Sequence, residues 1–131
     1  MTALTGEFEV ASWEENTFLD LGGERKLTRA DVSQQFTGDL TGSGTVVWLM
    51  SYAEDGTARF VGMQHVQGSF DGHDGGFVME TAGDFDGEKA VGEWSVIPGS
   101  GTGELTAIRG GGRFEAPRGP KATYTLDVEL G

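Results

Sequence analysis

Apolar residues recur along this chain with a period of two rather than 3.6, the pattern of half-buried strands. Near the C-terminus Ala122, Tyr124, Leu126 and Val128 alternate with Thr123, Thr125, Asp127 and Glu129. Near the start, Phe8 and Val10 alternate with Glu7 and Glu9. Between them, stretches rich in Val, Phe, Trp and Thr are cut by Gly, Asp and Asn. Eight strands are predicted, at 5–14, 25–37, 43–53, 57–68, 75–84, 88–97, 110–116 and 121–129. Asp39 to Gly44, Glu54-Asp55-Gly56, Asp71 to Gly76 and Asp86-Gly87 read as tight turns, because Asp-Gly tolerates the positive φ angles of short hairpins. Connections this short make neighbouring strands antiparallel. One helical turn is allowed at Gly103 to Arg109, where Leu105 and Ile108 sit three apart.

Eight strands without covering helices must bury their edges, and closure into a barrel removes both edges. The expected fold is therefore all-β: a single domain over 1–131, an eight-stranded antiparallel β-barrel with mostly meander order. A two-sheet sandwich is the alternative. A barrel of this size encloses a space that side chains fill or that holds one small ligand. The element Gly-x-Phe-acid occurs four times, at Gly6, Gly68, Gly83 and Gly112, and reads as a recurring strand unit rather than a solenoid repeat.

Alternation sorts each strand into two faces. Phe8, Val10 and Ser12 are expected inside, with Ala30, Val32, Gln34 and Phe36, and with Tyr124, Leu126 and Val128. In the middle strands the larger set is placed inward: Trp48, Met50, Tyr52, Phe60, Gln64, Val66, Phe77, Met79, Thr81, Trp94 and Val96. Gly62, Gly92 and Gly112 share that face, either leaving room for a ligand or only relieving strand curvature. The interior then carries almost no charge. If strands four to six take the reverse register, His65, Glu80 and Glu93 turn inward as acid and base groups. The strands at 43–53 and 57–68 are apolar on both faces, and a strand of that kind is covered on both. A homodimer through these two strands is expected, with a loop folded over the wall as the alternative.

Composition narrows the function classes. Nine Lys and Arg face 21 Asp and Glu, a formal charge of −12. The basic residues are scattered, so neither nucleic acid nor an anionic membrane surface is an expected partner. No apolar run approaches the ~18 residues of a membrane span. Glycine occurs 23 times in 131 residues, more than twice the average share. Cysteine is absent, which excludes disulfides and thiolate zinc sites. The start of the chain lacks a basic region followed by an apolar stretch, so a cytoplasmic protein is expected.

No chemical motif stands out. Gly99-Ser100-Gly101-Thr102-Gly103 lacks the Lys of a phosphate loop and reads as a crossover closing one barrel end. Asp84-Phe85-Asp86-Gly87 lacks the distal Glu of a calcium loop. His65 and His73 are too few for a metal site, and no cofactor is expected.

The strings Gly6 to Glu15, Phe36 to Thr45, Phe60-Val61-Gly62 and Pro98 to Leu105, with Arg109-Gly110 following, together resemble a bacterial domain-of-unknown-function family of β-barrels like allene oxide cyclase. The resemblance spans nearly the whole chain. It implies an eight-stranded barrel, often dimeric, related to proteins that bind a reactive apolar molecule and steer its ring closure without a cofactor. The matched positions are turn glycines and core aromatics and carry no catalytic motif. The expected function is thus binding of a small apolar molecule, with isomerase or cyclase activity by shape as one form of it. A carrier without turnover and a solid structural module are the alternatives. The expected ligand contacts are Gln34, Trp48, Met50, Tyr52, Phe60, Gln64, Met79, Trp94 and Tyr124.

Overall fold

The computed structural model describes residues 2–130. Eight strands close into one antiparallel barrel in chain order: β1 (Thr2–Gly22), β2 (Arg25–Gly38), β3 (Thr41–Tyr52), β4 (Ala58–Phe70), β5 (His73–Phe85), β6 (Lys89–Val96), β7 (Arg109–Pro117) and β8 (Lys121–Glu129). β8 pairs back onto β1, so no sheet edge stays open along the seam from Thr2 to Glu9. The meander and the barrel match the sequence pattern; the sandwich does not form. Asp71 is the one non-glycine residue with positive φ among those described, at 51°, and with Gly72 it makes the tight β4–β5 turn.

β1 runs eight residues past its predicted end at Glu14, to Gly22. The alternation that would have revealed this is broken three times, because register shifts fall between Val10 and Ser12, Thr17 and Leu19, and Asp20 and Gly22. A bulge moves every later side chain to the opposite face. Ser12 therefore points outward, beside Ser33, and Trp13 takes the inward place opposite Val32. Beyond Val10, β1 pairs only with β2 and overhangs the β7–β8 turn.

The middle of the barrel is solid. Phe8, Phe36, Trp48, Phe60, Trp94, Phe114 and Tyr124 form one cluster with neighbouring ring centroids 5.4 to 6.2 Å apart. Gly62, Gly83 and Gly92 are floors for these rings, not empty space, while Gly112 lies against the backbone of β8 at Thr125 and Leu126. A Cβ on Gly92 would stand 2.6 Å from two Phe114 ring carbons, and one on Gly83 would stand 2.6 Å from the Phe60 ring. A Cβ on Gly62 would meet Trp48 at 2.8 Å.

One end is sealed. Leu40, Phe70, Leu105 and Ile108 are buried there. The glycine-rich crossover after β6 laces onto β5: Ile97 N–H donates to Val78 O (2.9 Å), and Thr102 N–H donates to Gly76 O (2.8 Å). It contains only the short 3₁₀ turn Gly103–Leu105, less than the turn expected to Arg109. The Tyr124 hydroxyl accepts from Leu40 N–H (3.1 Å) and donates to Thr37 O (3.1 Å), latching the β2–β3 turn over this end.

Two glutamines cross the sealed half. Gln64 Nε2 donates to Gln34 Oε1 (2.6 Å), while Gln34 Nε2, Gln64 Oε1 and the Thr81 hydroxyl have no side-chain or backbone partner. A buried polar group without a partner is destabilising. Thr81→Val keeps the shape and removes the orphan, so it is expected to raise unfolding free energy by about 1 kcal/mol in urea melts.

The outer wall of β3 and β4 is bare. Leu49, Val61 and Met63 are about half exposed, Met63 at 52%, and no described segment folds over them. The covering loop considered from the sequence is absent from the described residues.

Candidate functional site

The end opposite the seal carries a cavity of about 350 Å³. Its position follows from the strand lengths. The overhanging half of β1 rises on one side, while β6 begins only at Lys89 and β7 ends at Pro117 on the other. Phe8, Trp48, Phe60 and Phe114 make its floor, which is the top of the aromatic cluster. Val10, Met50, Phe85, Ala90 and Ala116 make its walls. Trp13, Tyr52, Glu88 and the turn Pro117–Pro120 frame its mouth.

The expected contact residues divide between two regions. Trp48, Met50, Tyr52 and Phe60 line this cavity. Gln34, Gln64, Met79, Trp94 and Tyr124 do not line it; they are buried in the packed middle and sealed half of the barrel. The reason is the aromatic cluster, which fills the space between the two sets. His65, Glu80 and Glu93 are exposed on the outer face, because β4, β5 and β6 keep the register that points Gln64, Met79, Thr81 and Trp94 inward. The reversed register that would have made them acid and base groups does not occur.

Two residues of the site lie outside the set that alternation placed inward. Trp13 sits at the mouth, 47% exposed, with its ring centroid 5.6 Å from that of Trp48. Its Nε1–H donates to Glu15 Oε1 (3.1 Å). Glu15 is half-buried and occupies the inward register beside Ala30. Its Oε2 accepts from the Tyr52 hydroxyl (2.7 Å) and from the Thr28 hydroxyl (2.7 Å). Three strands thus converge on one carboxylate at the edge of an apolar space. The bulge before Ser12 hides both residues, since strict alternation from Phe8 places Trp13 and Glu15 outside.

Burial, and then the adjoining Glu15 carboxylate, pushes the Tyr52 phenol well above its ordinary value of 10.0. Burial also raises Tyr124 above that value. These are the chain's two tyrosines, so the absorbance change of phenolate formation reports on them alone. The folded protein is expected to show little phenolate at pH 10, where the urea-unfolded chain is half ionised. Above pH 10 the folded state holds protons that the unfolded state releases, so stability falls as pH rises there. Tyr52→Phe should flatten part of that fall.

No curated protein matches the chain. A crystal structure of a protein of unknown function from the DUF3224 family of Shewanella oneidensis MR-1 is similar over 100% of this chain and 98% of that one, with 27% identity and a TM-score of 0.83. The family described as protein of unknown function (DUF3224) matches residues 4–128, which take in all eight strands but for the first two residues of β1 and the last of β8, and the chain belongs to that family.

Proposed function

We propose that this barrel binds one small apolar molecule in the cavity at its open end. The observation that carries this reading is an aromatic-floored space of about 350 Å³ in a barrel whose remaining interior is packed. That volume lies at the lower end of ligand pockets. The sequence resemblance to barrels of the allene oxide cyclase type, if it extends to function, points to the same use of the fold. The test is native mass spectrometry of the protein purified from a bacterial lysate and then titrated with naphthalene derivatives. A single non-covalent adduct per chain supports binding; a bare mass throughout removes it.

A catalytic form of the reading is favoured by one specific feature. Tyr52 and Glu15 place a proton-bearing phenol and a carboxylate together beside an apolar space, the pairing that general acid–base steps use. Isomerisation or ring closure of a bound apolar substrate is the reaction class this fits. The cysteine-free composition suits a reducing, cytoplasmic setting for such a protein.

A second copy of this chain is the proposed cover for the bare wall. Across the sheet, Arg29, Leu49, Val61, Ala82 and Glu93 form one lateral row on β2 to β6. A two-fold axis along β4 sets Val61 on its copy, Leu49 over Ala82 and Arg29 over Glu93. Apolar meets apolar and opposite charges meet at the rim. Met63→Glu with Val61→Glu is expected to give a monomer by light scattering where the parent chain is a dimer. A monomeric parent chain would remove the proposal.

A further inference from the structure

Two charged side chains line the cavity, Glu88 and Arg118. Arg118 sits in the β7–β8 turn between Pro117 and Pro120, whose rings fix φ at those two positions. Pro120 O accepts from Val10 N–H (2.8 Å), which ties the turn to the overhanging part of β1. From that turn the Arg118 guanidinium reaches across to the β5–β6 turn and donates to Gly87 O (3.0 Å). The bond occupies one of the five N–H donors that a guanidinium carries. The ion pairs among the described residues engage Arg29, Arg59, His73, Lys89 and Arg113, and none engages Arg118. Glu88 is in none of them either. It is held through its backbone N–H, which donates to Asp86 Oδ1 (2.9 Å). The mouth thus presents a cation whose side chain is anchored at both ends and a carboxylate whose side chain is not.

We infer that the cavity selects aromatic molecules ending in a carboxylate, and that Arg118 receives that end. This rests on the cavity reading above and names its ligand class. The aromatic floor takes the ring. A guanidinium presents parallel N–H donors that match the two oxygens of a carboxylate, and such charge-assisted bonds are roughly twice as strong as neutral ones. The hold on Gly87 O orders Arg118 before a ligand arrives, whereas Glu88 would lose side-chain freedom on receiving an amine. The formal charge of −12 opposes anions from a distance. It is screened beyond about 8 Å at physiological salt, and a carboxylate on Arg118 lies well inside that length. A ligand ending in an ether offers Arg118 only a neutral acceptor, and one ending in an ammonium group brings like charge against it.

The experiment uses three ligands that share one ring system and one methylene: 1-naphthylacetate, 1-(methoxymethyl)naphthalene and 1-naphthylmethylamine. Each is titrated calorimetrically, at low and at raised salt, into the whole protein and into Arg118→Gln. In the parent protein the acetate is expected to bind about tenfold more tightly than the ether, with the amine weakest. Added salt should weaken the acetate and leave the ether alone. Arg118→Gln keeps an N–H donor for Gly87 O but removes the charge, so the acetate should fall to the affinity of the ether while the ether is unchanged. Thermal melting of the variant keeps a folding defect separate. If Arg118 only clasps the two turns together, all three affinities drop in parallel, and that result overturns the inference. Equal affinities of acetate and ether in the parent protein overturn it and leave the cavity reading intact. An amine that binds tightest overturns it in favour of Glu88, and an acetate preference that persists in Arg118→Gln overturns it too. Silence from all three ligands, the ether included, overturns the cavity reading itself.

Discussion

Gly92→Ala is expected to lower the unfolding free energy by about 3 kcal/mol, a loss of more than 10 °C in melting temperature. The new methyl would stand 2.6 Å from two carbons of the Phe114 ring and 2.9 Å from a third. Phe114 cannot simply move aside. It packs against Phe8, Trp48, Phe60 and Trp94, with centroids 5.4 to 6.2 Å away. Overpacking a filled core usually costs 1–3 kcal/mol, and a rigid ring held on four sides belongs at the upper end. Backbone strain plays no part, since Gly92 is not among the glycines with positive φ. Phe114→Leu in the same chain should recover part of the loss, and urea melts of the single and double variants measure it. A neutral Gly92→Ala would mean that the aromatic cluster is loose.

Ala116→Trp is expected to abolish ligand binding, a loss of at least a hundredfold, while leaving the melting temperature unchanged or higher. Ala116 pairs with Ala90 across β6 and β7, and both face the cavity. An indole there occupies much of the 350 Å³ and buries its own apolar surface. The two readouts move in opposite directions, which separates loss of a site from loss of fold. Calorimetric titration with 1-(methoxymethyl)naphthalene gives the first, and thermal melting gives the second.

The period-two pattern contained the fold because β2 to β8 pair without a register shift, so each residue's face stays in phase with the sequence. In the middle strands, apolar on both faces, Trp48, Phe60 and Gln64 were placed inward by size and are inward. The site was less legible for two reasons. A bulge is a one-residue insertion with no fixed sequence mark, and the one after Val10 sent Ser12 outward and brought Trp13 and Glu15 to the mouth. Depth along the barrel is also invisible to alternation. Gln34, Gln64 and Tyr124 share an inward face with Trp48 and Tyr52, yet the aromatic cluster separates them from the open end. Gly62 and Gly92 drew the same ambiguity, which only the position of the Trp48 and Phe114 rings resolves.

Calorimetry of the parent chain with 1-(methoxymethyl)naphthalene at several temperatures tests most directly whether the open end is a ligand site. One saturable site per chain with a negative heat-capacity change is the expected result, because an apolar ring leaves water for an apolar space. Heats that never saturate, or a stoichiometry that Ala116→Trp leaves untouched, would contradict it.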